Sequence, residues 1–497
     1  MKNQPQLIAY VDRLPGGTVR DLQHLLDGPL HGAFGGVHVL PFFHPIDGSD
    51  AGFDPIDHTQ VDSRLGTWDD VAALAARTDL MADVIVNHVS RHSPQFEDFD
   101  RRGVDSPYAG MFLTFARVFP DGASESDLLA LNTPRRGLPF TAHETARGER
   151  LLLWTTFTSD QIDIDVSHPE AQRYIASILD RLHHAGIRAI RLDAVGFAIK
   201  KAGTSCFMIP ETFAFIAGLT AQAHALDMEV LVEVHGHYQD QIAVACDVDW
   251  VYDFALSPLV LHTLYTRDAT ALMRWLQIRP RNAVTVLDTH DGIGVADVAG
   301  DRRTNAPGLL SALEIDALVE TIHHRSRDES RLASGTAASN VDSSQINCTF
   351  YDALGRRDSE YLVARAIQCF VPGVPQVYYV GLLAGCNDVD LLSRTGVGRD
   401  INRHYYTVDE LRVALTHPVV QSLLALLQIR NTHPAFQGAF ETLDSAVDRI
   451  ALVWTHGDAF ARLDVNFTAM CASITCTSRG AQSKGDVAWH TLSGARA

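Results

Sequence analysis

Glu229-Val230-Leu231-Val232-Glu233-Val234-His235 is an apolar, largely β-branched run that ends in a carboxylate and a histidine. A near-continuous run of this kind suits a strand buried on both faces, as in a parallel sheet covered by helices. Eight such runs recur along the chain: Gln6–Tyr10, Gly36–Phe43, Met81–His88, Ile187–Asp193, Met228–Val234, Trp250–Leu256, Ala283–Asp291 and Val374–Gly381. Helical patterns lie between several of them. Thr67-Trp68-Asp69-Asp70 opens one as a capping box with Asp in place of Glu, ahead of Val71-Ala72-Ala73-Leu74. Ser167-His168-Pro169-Glu170 opens another, with Gly186 as its stop, and Glu360 to Phe370 reads as a third. Strands alternating with helices predict an α/β fold, a (β/α)8 TIM barrel; an open doubly wound sheet gives similar runs.

Two stretches are too long for simple loops: Val89 to Val166, and Gly292 to about Asp358. Both leave from the C-terminal ends of strands, where barrel enzymes place their sites. After about Pro434 the pattern changes to segments such as Ile450-Ala451-Leu452-Val453-Trp454 and Ala472-Ser473-Ile474-Thr475. The expected organisation is barrel over 1–88, 167–291 and 359–434, inserted subdomains at 89–166 and 292–358, and a small β domain at 435–497.

The chain has 497 residues, with 41 Lys+Arg against 60 Asp+Glu, a net charge of −19. That balance argues against a sequence-independent nucleic-acid binder and against an anionic membrane surface as partner. The seven cysteines are scattered with no C-x-x-C pair, so neither a disulfide framework nor a zinc site is indicated. Met1 to Tyr10 lacks the pattern of a secretory leader, and no run of about 18 apolar residues occurs. A cytoplasmic protein is the expectation. There is no acidic cluster with EF-hand spacing, so no metal is expected, and no organic cofactor is implied.

Four strand ends carry polar groups: Asp83-Val84-Ile85-Val86-Asn87-His88, Arg191-Leu192-Asp193, the Glu233-Val234-His235 end already quoted, and Leu287-Asp288-Thr289-His290-Asp291. One such end could be a cap; four together point to an active site. Glycosyl transfer needs one carboxylate as nucleophile and one carboxylic acid as proton donor. Arg191 lies two residues before Asp193, on the same face of its strand, and favours the ionised form a nucleophile needs. Glu233 follows an apolar strand, where burial would keep a proton available. A third carboxylate can stabilise developing positive charge. His88 and His290 could donate to sugar hydroxyls.

These segments, in this order, resemble the signature regions of the α-amylase-type glycoside hydrolase family, and within it the sucrose phosphorylase branch. The resemblance rests on Asp50-Ala51-Gly52-Phe53-Asp54-Pro55-Ile56-Asp57-His58, Arg191-Leu192-Asp193-Ala194-Val195-Gly196, Gly203-Thr204-Ser205-Cys206-Phe207 and Asp288-Thr289-His290-Asp291-Gly292-Ile293-Gly294. Pro372-Gly373-Val374-Pro375-Gln376-Val377-Tyr378-Tyr379-Val380-Gly381 and Gly398-Arg399-Asp400-Ile401-Asn402-Arg403-His404-Tyr405-Tyr406 add to it. It covers about residues 6 to 435. It implies Asp193 as nucleophile, Glu233 as general acid/base and Asp291 as transition-state stabiliser. It places Asp50, Phe53, His88, Phe157, Arg191, His290 and Arg399 around the glucosyl unit, and Arg135, Val234, His235, Asp342 and Gln345 around the acceptor. The insertions match the small domains called B and B′.

The implied reaction converts sucrose and inorganic phosphate to α-glucose 1-phosphate and fructose, reversibly and with retention. Arg135 and Arg136 are candidates to hold phosphate, since planar guanidinium donors match its oxygens. The chain departs from the branch at Asn132, Phe197 and Ser344, where Tyr is common, and at Arg136. These positions surround the acceptor and keep a sister phosphorylase acting on sucrose 6′-phosphate or glucosylglycerol open. An amylase-type hydrolase or transglucosidase, and a catalytically silent sugar-binding relative, are the other readings. Relatives occur as monomers and homodimers.

Overall fold

Each of the eight apolar runs overlaps a strand: β1 Gln6–Ala9, β2 Gly36–Val39, β3 Asp79–Ile85, β4 Ala189–Asp193, β5 Glu229–Val232, β6 Trp250–Asp253, β7 Ala283–Thr285 and β8 Val374–Tyr378. The computed structural model describes residues 1–48, 50–134, 137–301, 304–334 and 345–477, with 488–492 as backbone alone. Arg135, Arg136, Asp342 and Ser344 lie outside the described residues. The strands follow one another in chain order around a closed parallel barrel, and β8 returns to pair with β1. Closure excludes the open-sheet alternative.

Helices separate successive strands, and their starts follow local chemistry. Thr67 caps Trp68–Ala75 through a full capping box: its hydroxyl accepts from the Asp70 N–H and the Asp70 carboxylate accepts from the Thr67 N–H. Pro169–His184 is capped by His168, not Ser167. The Ser167 hydroxyl instead donates to Asp165 at 2.5 Å, and His168 Nδ1 accepts from the Glu170 N–H. Asp358–Phe370 is buried on nearly every side, because helix Pro418–Thr432 and the C-terminal sheet both pack on it. That burial is tolerable because its polar side chains are paired: Arg365 donates to Asp288 at 2.7 Å and Gln368 to the Thr285 carbonyl at 2.9 Å.

The C-terminal domain is a five-stranded antiparallel sheet, Ala439–Leu443, Arg449–His456, Ala459–Asn466, Cys471–Thr477 and Ala488–Leu492. Strand Ala459–Asn466 alternates buried and half-buried residues, as a one-sided sheet requires. Among the described residues, no single helix is long and apolar enough to cross a membrane.

The barrel interior departs from apolar layering. Gln376 Nε2 donates to Gln6 Oε1 at 2.7 Å, and the Tyr252 hydroxyl donates to Gln376 Oε1 at 3.1 Å. Tyr252 also lies 3.5 Å from His38 Nδ1, and His38 Nε2 is 3.1 Å from Asp83 Oδ2. A ladder of polar groups thus climbs from the barrel floor to the acidic mouth. Such a chain is stable only when each member is satisfied.

The 89–166 stretch forms helix Pro94–Arg102 and the hairpin Phe140–Glu144 with Arg150–Trp154, and ends in Gln161–Asp163 paired to His88–Ser90. Lys200, from beyond β4, reaches back to it: Nζ lies 2.7 Å from Asp163 and donates to Asn87 Oδ1 at 2.8 Å, with both charged side chains out of solvent. The 292–358 stretch is stitched to the barrel mouth by Ile293–Gly294 pairing with Gln345–Ile346. Gly292 (φ +98°) permits this approach, since a Cβ there would lie 2.5 Å from the Ile346 carbonyl oxygen.

Lys200→Met leaves the Asp163 carboxylate buried without its cationic partner, with the Thr156 N–H and hydroxyl still donating to it. It is expected to lower unfolding free energy by about 3–5 kcal/mol, read as a lower urea midpoint at unchanged m. An unshifted midpoint would remove this clamp from the account.

Candidate active site

The strand register assembles the charged centre. Arg191 pairs with Asp83 on β3 and with Leu231 on β5, and Leu192 pairs with Val232. One residue further, Glu233 continues the ladder by donating its N–H to the Leu192 carbonyl, which sets it beside Asp193. The single Arg191 guanidinium then meets three carboxylates. It bonds Asp83, donates to Asp193 Oδ1 at 3.0 Å, and lies 2.6 Å from Glu233 Oε1. The other Glu233 oxygen accepts the Ala194 N–H at 3.1 Å. Ala194 has φ +52°, a left-handed conformation that costs free energy in a residue with a Cβ. It turns the backbone N–H after Asp193 toward Glu233.

The charge balance differs from the expectation for Asp193. The sequence assigns Arg191 to Asp193 alone, which would hold it ionised. In the structure Arg191 is shared, and burial together with the Glu233 carboxylate pushes the Asp193 carboxyl well up, against the pull of Arg191. Two buried carboxylates around one guanidinium leave an excess of negative charge, which disfavours ionisation of Asp193. Asp83 goes the other way: burial pushes it up, but His38 and Arg191 outweigh burial and hold it at about 2.

Asp291 and Arg399 form the opposite wall. Burial raises the Asp291 carboxyl, but the Arg399 guanidinium 3.1 Å away, with His235, keeps it far below the usual carboxylate range. Asp291 Oδ1 is the oxygen that makes this ion pair, and it is buried. Arg399 also reaches Asp50 at 3.4 Å, and Arg403 lies 3.6 Å from the other Asp50 oxygen. Phe53 stacks on His290 with centroids 4.7 Å apart and planes 11° apart, an apolar platform beside the acids. Burial drives the His290 imidazolium well down, so this ring is neutral.

These groups line one cavity of about 1050 Å³, counting its open mouth. Asp50, Phe53, His88, Phe157, Asp193, Glu233, Val234, His235, His290, Asp291, Gln345 and Arg399 all face it, and Arg191 lies just beneath. The structure therefore brings together every described member of the expected set. Arg135 and Asp342 fall outside the described residues. His88 braces and does not offer a free donor: its Nε2–H is spent on the Phe53 carbonyl at 2.9 Å. Phe197 lines the cavity between Phe157 (5.6 Å) and Phe207 (4.7 Å), so its ring contact is kept although the Tyr hydroxyl is absent. Asn132 lines the cavity as well.

Sequence reasoning missed Gln161, which lines the cavity and donates to the Phe53 carbonyl at 3.3 Å, and Asp297, behind His235. Neither carries a local signal; both come near the acids only through long-range folding. Glu233, His235 and Asp291 offer donor atoms within 4.8 Å of one another. Arg191 and Arg399 already occupy both carboxylates, and a metal would have to break those ion pairs.

The family described as "Alpha amylase, catalytic domain" matches residues 33–405. A sucrose phosphorylase from Agrobacterium vitis is 59% identical, over 96% of this chain and 98% of that protein. One from Bifidobacterium adolescentis is 50% identical, over 91% and 90%. A crystal structure of sucrose 6F-phosphate phosphorylase from Thermoanaerobacter thermosaccharolyticum superposes with a TM-score of 0.90 at 36% identity, covering 99% and 98%.

Asp83 carries an acid-dependent share of stability. Its carboxyl falls from the ordinary 3.8 to about 2 on folding, so its contribution is complete above 3.8 and is lost as pH drops toward 2. Asp83→Asn is expected to flatten the plot of urea midpoint against pH across that window while lowering the midpoint at neutral pH. An unchanged slope there would mean the charge is not coupled to folding.

Proposed function

The chain belongs to the α-amylase family and to its sucrose phosphorylase branch, and on that basis we propose that it catalyses the reversible phosphorolysis of sucrose to α-glucose 1-phosphate and fructose by double displacement. The observation that carries this reading is the sharing of Arg191 by Asp193 and Glu233. One guanidinium holding both carboxylates keeps them close, as attack by a carboxylate at the anomeric carbon requires, and leaves little room for an activated water between them.

In the first displacement Asp193 attacks C1 of the glucosyl unit. The bond to the fructosyl oxygen breaks as Glu233, acting as general acid, delivers a proton to that oxygen. Positive charge grows on the sugar ring, and Asp291, held ionised by Arg399, faces it. In the second displacement a phosphate oxygen attacks C1, the bond to Asp193 breaks, and the proton carried by phosphate returns to Glu233. Phosphate is already a competent anionic nucleophile, so this step asks for positive charge nearby more than for a base. The Phe53–His290 platform and Asp50 suit the apolar face and the hydroxyls of one sugar ring.

A second reading keeps the same glucosyl chemistry with a different partner sugar, sucrose 6′-phosphate or glucosylglycerol. It is favoured by Asn132 and Phe197 lining the cavity where the branch commonly carries Tyr. All seven cysteines are free thiols, which suits a reducing compartment and supports a cytoplasmic location.

Purified protein with sucrose and phosphate is expected to release glucose 1-phosphate. Free glucose as the main product despite phosphate would favour a hydrolase, and higher kcat/KM on the phosphorylated or glycerol donors would favour the second reading. Asp193→Ala and Glu233→Gln are each expected to lower turnover by several orders of magnitude without unfolding; near-normal turnover in either would reassign the roles.

A further inference from the structure

Asp297 sits in the short helix Ala296–Val298, fully buried behind the acceptor side of the cavity. Its carboxylate holds three groups of the segment that follows β5. Oδ1 accepts from the Gly236 N–H at 3.3 Å and from Gln241 Nε2 at 2.8 Å, and Oδ2 lies 3.4 Å from His235 Nδ1. Among the described residues, His235 is the only cationic side chain in an ion pair with it. A carboxylate taken wholly out of water needs a counter-charge, since two neutral donors offset only part of its lost hydration.

The surroundings of His235 fit that role. Its ring stacks on Phe254 at 3.8 Å with planes 20° apart, which fixes its plane. Nε2 lies 3.6 Å from Glu233 Oε1, is buried without a hydrogen-bond partner, and belongs to a residue that lines the cavity. Space for the Asp297 carboxylate is made by a missing side chain: a Cβ on Gly294 would come within 2.4 Å of Asp297 Oδ2. The same Gly294 pairs with Gln345, so one backbone segment serves both groups.

We propose that Asp297 is a positioning residue that clamps His235 over the acceptor half of the cavity and supplies the counter-charge for its imidazolium, so that Nε2–H is presented to the incoming phosphate oxyanion. This rests on the phosphorolytic reading above. Burial alone would disfavour the charged ring; the hydrogen bond and charge of Asp297 outweigh it, with Glu233 and Asp291 adding to the same effect. Among the described residues those three carboxylates face the ring, with Arg191 beyond Glu233 and Arg399 beyond Asp291. Fructose is neutral and gains little from a cation there, whereas phosphate is an anion and gains a charge-assisted hydrogen bond. The two half-reactions therefore depend on Asp297 to different degrees.

Asp297→Asn keeps the size and removes the charge. Its amide would donate to His235 Nδ1 and hold the ring neutral. The expected result is a rise of about tenfold in KM for phosphate, with kcat for phosphate-free release of glucose from sucrose lowered by no more than about threefold. The pH profile of kcat/KM for phosphate should also lose its His-dependent limb. In a His235→Gln background the same substitution should add almost nothing, because Asp297 acts through that ring. Gly294→Ala, which displaces the carboxylate without removing it, provides a second route to the same split if the Asn variant does not fold. An unchanged KM for phosphate, an equal loss in both reactions, or full additivity with His235→Gln would each overturn the proposal. Wild-type protein that makes no glucose 1-phosphate would overturn the functional reading and this inference together; a wild type that makes it, with an unaffected Asn variant, would overturn only the role of Asp297.

Discussion

One buried guanidinium governs the architecture of this active centre. Arg191 is surrounded by Asp83 from β3, Asp193 from the end of its own strand β4, and Glu233 from just beyond β5. Burying one cation with three carboxylates would be costly if all were ionised and independent. The structure resolves the excess by unequal treatment. Asp83 is held charged by His38 and Arg191 together, while burial and the neighbouring Glu233 push the Asp193 carboxyl up. Similar side chains are thus treated differently by the way one cation is shared among them.

That arrangement depends on register. A slip of one residue between β3 and β4 or between β4 and β5 would turn Arg191, Asp193 or Glu233 to the other side of the barrel wall. The barrel around them is correspondingly over-determined: all strands are parallel, the ring is closed, and the side chains beneath Arg191 are tied by the Gln6–Gln376–Tyr252–His38 ladder. The insertions are fastened where they matter. Lys200 ties Asp163 to the mouth, and the Ile293–Gly294 pairing ties Gln345 to the loop of Asp291.

The barrel was legible in the sequence because parallel strands buried on both faces leave unbroken apolar runs, and each run overlaps a strand. Strand ends carrying Asp193, Glu233 and Asp291 were equally visible, since charges directly after such runs have no packing reason to be there. The second layer was not. Asp297 in Val295-Ala296-Asp297-Val298 looks like any helix-start acid, and only the fold brings it to His235, 62 residues earlier. The sharing of Arg191 was also hidden, because sequence spacing links it to Asp193 alone while the bond to Glu233 crosses strands. The helix start within Ser167-His168-Pro169-Glu170 was legible too, but not that His168 is the cap, because Ser167 bonds Asp165.

The polar ladder inside the barrel has a further meaning for cooperativity. Its members come from β1, β2, β3, β6 and β8; the Gln6–Gln376 and His38–Asp83 contacts join neighbouring strands, but the Tyr252 contacts to Gln376 and His38 reach across the barrel and need the ring to be closed. A half-built barrel would hold unsatisfied amides and an unbalanced acid at its centre, which disfavours such intermediates. Closure of the ring and completion of the polar layer beneath Arg191 are therefore coupled.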